Sequence, residues 1–242
     1  MRTLVFSTRT LKEIIRDPVS LFFGLVFPVI LLVLLTLINK NVPGDVFNIE
    51  MLTPGVAVFG LSFMALFAGQ IIAKDRSSEF LTRLFTTPMK SRDFILGYTL
   101  PLIPMALLQT ILCFITALLL GMSFSFTIIP SILLILPMGI VFISAGLLIG
   151  SLFSEKAVGG ICGAFLTNVA AIFSGAWFAV ELVGGVFEKI AYALPFYHAV
   201  EMGRAGMSGQ YADLFPHVWW VLGYAVVISV AAVYVFQKKM KI

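Results

Sequence analysis

The chain has 242 residues, 60% of them hydrophobic and 12% charged, with a mean hydropathy of +1.05. Soluble domains carry about a quarter charged residues and close to half apolar ones, so the composition excludes a soluble globular protein and describes an integral membrane protein. The net charge of +4 comes from 16 Lys and Arg against 12 Asp and Glu, and on so apolar a chain it reflects topology and anionic lipid rather than nucleic acid.

Ahead of the first apolar run, Leu4, Leu11, Ile14 and Ile15 project within roughly 100° of one another on a helical wheel. Arg2, Arg9 and Arg16 repeat every seven residues opposite them. The pattern predicts an amphipathic interfacial helix within residues 1–19. Asp17 and Pro18 stop it, because the residue before a proline is pushed out of the helical region. Apolar runs follow at about 21–38, 52–73, 94–121, 128–153, 157–180 and 218–236. A spanning helix needs roughly 20 apolar residues, so the expectation is an all-α membrane protein with six transmembrane helices in one permease domain, 1–242. The first run lacks a small-residue cleavage site and reads as a retained span.

Residues 74–93, KDRSSEFLTRLFTTPMKSRD, form a charged island between the second and third runs. Ser77 or Ser78 can cap a helix with Glu79 in its first turn. Phe80, Leu81, Leu84 and Phe85 then make one apolar stripe, Pro88 ends the helix, and Ser91 with Asp93 restarts the next. A loop that only reconnects two spans needs none of these signals, so the two-turn helix reads as a docking element; an amphipathic loop resting on lipid headgroups is the alternative. Further along, Gly159, Gly160, Gly163 and Ala164 form a small-residue arrangement that suits helix packing. Residues 181–217 are too apolar for a plain loop, yet Gly184, Gly185 and Pro195 break them. They predict a short helix or re-entrant hairpin capping a cavity at the outer end, with Glu181, Glu188 and Glu201 near the exit.

Orientation follows from the basic residues, which collect on cytoplasmic flanks. With the N-terminus inside, Arg2, Arg9, Lys12, Arg16, Lys74, Arg76, Arg83, Lys90, Arg92, Lys156, Lys238, Lys239 and Lys241 are cytoplasmic, and only Lys40, Lys189 and Arg204 lie outside. Both termini are therefore expected in the cytoplasm, with the chain in the plasma membrane.

Absent motifs narrow the chemistry. The interiors of the assigned runs contain no Asp, Glu, Lys, Arg or His, only Gln70, Gln109, Asn168 and hydroxyls, which argues against an ion-coupled carrier. No G-x-x-x-x-G-K-[ST] loop, H-E-x-x-H or G-x-S-x-G occurs, so the chain is expected to bind no nucleotide, metal or other cofactor and to be no enzyme. His198 with Glu201 reads as a structural pair, and Cys113 with Cys162 as span residues rather than a disulfide framework.

Three stretches, in this order and at these spacings, resemble the type-2 ATP-binding-cassette exporter permease family: LKEIIRDPVSLFFGLVFPVILLVLL at the start, the segment from Glu79 to Pro88, and the S-G-x-W-F, P-F-Y-H and E-x-x-R elements between Ser174 and Arg204. The resemblance implies a dimer of six-span subunits, identical or paralogous, each above an ATPase subunit that holds ATP and Mg. It identifies the island helix, with Glu79, Phe80, Arg83, Leu84, Phe85 and Pro88, as the coupling helix that enters the ATPase. The first helix, with Arg2, Arg9, Arg16, Asp17 and Pro18, matches the connecting helix. By the same likeness the pathway lies at the dimer interface, near Phe63, Phe67, Gln70, Asn168 and Phe173. An uncharged aromatic lining suits export of hydrophobic or amphipathic drugs, antibiotics or peptides. Export of lipid-linked polysaccharide or lipid is the alternative, and a non-transporting sensor or scaffold a third reading.

Overall fold

A computed structural model describes residues 2–41, 48–78 and 91–239, and every regular element among them is helical. α1 (Arg2–Ile15) is followed by α2 (Pro18–Lys40), α3 (Ile49–Ser77), α4 (Arg92–Leu119), α5 (Ile128–Leu152) and α6 (Glu155–Phe173). Two shorter helices, α7 (Gly185–Ala193) and α8 (Pro195–Ser208), precede α9 (Tyr211–Lys239). Of these, α2 to α6 and α9 are six helices long and apolar enough to cross a membrane.

Local chemistry sets the helix starts. Asp17 accepts hydrogen bonds from the amides of Val19 (3.1 Å) and Ser20 (3.3 Å), with Pro18 in the first helical position. The carboxylate satisfies donors that the first turn leaves open, and the proline has no donor to lose. The expected break between α1 and the first span therefore falls at Asp17 and Pro18.

α3 is the most buried span and the axis of the bundle. A turn at Ser62 interrupts it, where the hydroxyl donates to the Phe59 carbonyl at 2.6 Å and gives the chain a local alternative to the helical ladder. α5 lies hard against α3. A Cβ on Gly146 would sit 2.2 Å from the Ala65 carbonyl oxygen, and one on Gly150 2.5 Å from that of Gly69. Small residues four apart on each partner thus bring two backbones together. In α6, by contrast, a Cβ on Gly159 or Gly160 meets nothing within 4 Å, and one on Gly163 only the side chain of Leu66. The closest small-residue packing is between α3 and α5.

α9 packs along α5, with the Ser144 and Ser229 hydroxyls 2.8 Å apart. α8 rests on α5, α9 and the first half of α3, and the Ser131 hydroxyl donates to the Gly203 carbonyl at 2.7 Å. The two ends of the bundle are chemically distinct. α1, the last turn of α3, the first turns of α4 and α6, and Phe236 near the end of α9 gather at a basic end, and α7 with α8 lie at the other.

Candidate functional site at the basic end

The region that the sequence marks for docking is framed by α1 and by the ends of α3 and α4. Residues 79–90, and with them Glu79, Phe80, Arg83, Leu84, Phe85 and Pro88, lie outside the described residues; their two flanks are described. α3 continues past the expected limit at residue 73 and carries Lys74, Asp75 and Arg76 in its last turn. Asp75 is 2% exposed. The Arg9 guanidinium donates to both its oxygens, Nη1 to Oδ2 at 2.5 Å and Nη2 to Oδ1 at 2.7 Å, and the Tyr98 hydroxyl donates to Oδ2 at 2.8 Å. A buried carboxylate needs both charge and hydrogen bonds to be tolerated, and this one has three donors. Its signal in the sequence was an acid within three residues of an apolar run, which reads equally as a solvated flank.

Other contacts surround this centre. Glu13 is 2.9 Å from Arg9 and 2.9 Å from Lys74. Arg9 carries its charge more firmly than a free guanidinium: burial works against it, and Asp75 and Glu13 more than offset that. Phe6 sets its ring edge-on to Tyr98 at 4.9 Å and to Phe94 at 5.8 Å. Gly97 makes room for it, since a Cβ there would lie 2.0 Å from the Phe6 ring. Thr3 donates to Asp93 at 2.7 Å. The face that α1 turns to the protein is thus Phe6, Thr10 and Ile14, all buried, while Leu4 and Ile15 are exposed. The expected amphipathic helix is present, but its apolar residues divide between α4 and the outside because Phe6 finds an aromatic notch. Arg76 fixes α3 to α5 by donating to the Ser151 and Phe153 carbonyls, the latter at 2.7 Å.

A cavity of about 850 Å³ opens beside this cluster, between α1, α3 and the start of α6. Phe67 and Gln70 line it together with Arg9, Arg16 and Asp17. Gly24 of α2 accommodates the Phe67 ring, whose Cε2 would be 2.5 Å from a Cβ at that position. The remaining residues expected to line a pathway stand elsewhere. Phe63 is buried in a ring cluster with Phe23, Phe27 and Phe59. Asn168 is exposed on α6 and donates to the Ala164 carbonyl, and Phe173 stacks on Phe187 near the opposite end. Within one chain these five do not form one site.

Comparison with known proteins bears on this geometry directly. A family model described as ABC-2 type transporter, the membrane component, matches residues 1–208. The chain belongs to the ABC-2 type transporter family. It is also 32% identical over 94 residues to "Putative transport permease ycf38" of Pyropia yezoensis, a stretch covering 37% of this chain and 32% of that protein. The ABC-2 match makes the chain a multi-pass membrane component of a transporter, and the matched part is a permease element rather than a catalytic domain.

In this ABC-2 chain the late sequence elements meet one another at the end away from α1. Arg204 donates to Glu201 (2.7 Å), to the Met51 carbonyl (3.1 Å) and to the Gly175 carbonyl (2.9 Å), so E-x-x-R closes on S-G-x-W-F. Gly175 has φ +68, a conformation that favours glycine. Tyr192 and Tyr197 donate to Glu181 at 2.8 and 3.2 Å; a backbone hydrogen bond, and after it these two hydroxyls, hold that carboxyl below its usual range against the opposing effect of burial. His198 pairs with His217, Nδ1 to Nδ1 at 2.7 Å, while Glu201 takes Arg204. The expected His198 and Glu201 pairing is replaced by these two.

Proposed function

We propose that the chain is the transmembrane subunit of an ATP-driven exporter, in which a second six-span subunit completes the pathway and a separate ATPase, holding ATP and Mg, docks under residues 77–88. Hydrophobic or amphipathic molecules are the substrate class, and the basic end faces the cytoplasm of a plasma membrane. The observation that carries the reading is the Arg9, Asp75 and Tyr98 cluster. It ties together the two flanks of the segment with a coupling-helix pattern and joins both to α1. A push on that segment is then delivered to three helices at once, which is what a bistable membrane dimer needs to be switched by an external motor. Family membership supports the ATPase and the second subunit as partners.

The test is to co-express the chain with candidate ABC ATPase subunits, co-purify the complex and measure ATP hydrolysis in nanodiscs against candidate substrates. Leu84→Asp with Phe85→Asp is expected to release the ATPase while the membrane dimer persists. Undiminished association of that double variant would remove the docking assignment.

A further inference from the structure

The charges on the wall of the 850 Å³ cavity are unevenly matched. Arg9 is taken by Asp75 and Glu13, Lys74 by Glu13, and Asp17 by the amides of Val19 and Ser20. Lys12 on α1 and Arg16 in the turn just past its end, one helical turn apart, line the same cavity with exposed side chains and make no ion pair among the described residues. The acid left over is Glu155, at the start of α6. From α3 the cavity also takes the apolar side chains of Phe67 and Ile71, with Gln70 between them. On α1 beside its mouth, Leu4 and Val5 are 65% and 71% exposed.

We infer that this cavity binds an anionic phospholipid, its phosphate against Lys12 and Arg16 and its acyl chains along the apolar outer side of α1. Basic pockets between membrane helices suit acidic headgroups, because the surface supplies the ligand at high local concentration and the low dielectric strengthens the pairing. A free phosphate ion explains the two cations but leaves Phe67, Ile71 and the exposed Leu4 and Val5 without a role; a lipid uses all of them. The inference requires no ATPase and is independent of the export reading.

Native mass spectrometry of the purified chain from nanodiscs of phosphatidylcholine and phosphatidylglycerol measures retained lipid. Wild type is expected to retain phosphatidylglycerol preferentially, and Lys12→Gln with Arg16→Gln to lower that preference about thirtyfold, the ordinary worth of two basic residues beside anionic lipid. Lys12→Arg with Arg16→Lys keeps both charges and is expected to keep the preference. Lys238→Gln with Lys239→Gln removes as much charge from the same end, away from the cavity, and is expected to leave it unchanged. Equal loss in the last variant would reduce the effect to general surface charge and overturn the site. Equal retention of the two lipids by wild type would overturn it too. Displacement of the lipid by millimolar inorganic phosphate would assign the cations to a bare anion instead.

Discussion

The Tyr98 hydroxyl donates to Asp75 at 2.8 Å, joining the last turn of the second span to the first turns of the third across the segment that separates them. Arg9 closes the cluster from a third helix. Because Asp75 is buried, the arrangement is asymmetric: removing the cation strands a charge, whereas removing the anion leaves an arginine that is already partly hydrated.

Arg9→Gln is therefore expected to destabilise the chain by about 3–5 kcal/mol, the usual consequence of stranding one member of a buried pair. Adding Asp75→Asn should recover most of that loss, since the neutral amide still accepts from Tyr98. Unfolding of the purified single and double variants in mixed micelles distinguishes the two; equal instability in both would contradict the asymmetry.

The contact between α3 and α5 predicts a second effect. Gly146→Val places a branched side chain where a single Cβ already lies 2.2 Å from backbone, and backbone cannot rotate aside. A loss of at least 1–3 kcal/mol is expected, as for other overpacked positions. Gly159→Ala, at helical dihedrals in open space, should instead stabilise by up to about 1 kcal/mol. The same unfolding assay compares them.

Acid should loosen the end of the bundle that carries α7 and α8. His198 Nε2 lies 2.9 Å from the Tyr192 carbonyl, which only accepts, so Nε2 bears the hydrogen and Nδ1 accepts from His217 Nδ1. Burial holds His198 below the ordinary histidine pKa, and His217 lowers it further, while the hydrogen bond to the Tyr192 carbonyl and the charge of Glu201 oppose them. A depressed pKa means that the folded state prefers neutral His198. Its contribution is complete above the ordinary value of about 6.5 and is lost as pH falls through the lower folded value. Trp220, stacked on His198 at 5.2 Å, reports the change by fluorescence, and Trp220→Phe identifies its signal. A flat profile between neutral and acid pH would refute it.

Topology is tested by labelling. A cysteine at Ser78 should react only from the cytoplasmic side and one at Ser208 only from outside, after Cys113 and Cys162, both buried, are replaced by alanine. The reverse pattern would overturn the proposed orientation.

Much of this fold is legible in the sequence because bilayer thickness forces long apolar runs, and Asp17 with Pro18 punctuate the first of them. The buried centre is not. Asp75 sits beside Lys74 and Arg76, a pattern identical to that of a hydrated helix end, and nothing local shows that Arg9 and Tyr98, 66 and 23 residues away, converge on it. Gly146 and Gly150 carry no local signal for the same reason: tight approach depends on Ala65 and Gly69 in another helix. Of the candidate site residues, Phe67 and Gln70 share a cavity because they lie one turn apart on α3, whereas Phe63 turns into a cluster of rings, Asn168 is exposed on α6 and Phe173 stacks on Phe187.

The notch that receives Phe6 is built from Phe94, Gly97 and Tyr98, and Thr3 reaches Asp93 across 90 residues of sequence. During synthesis α1 emerges long before its seat exists. It must wait at the membrane surface through insertion of two spans and settle only when the third arrives, so the seating of one aromatic ring marks the moment at which the first half of the protein has been assembled in the right order.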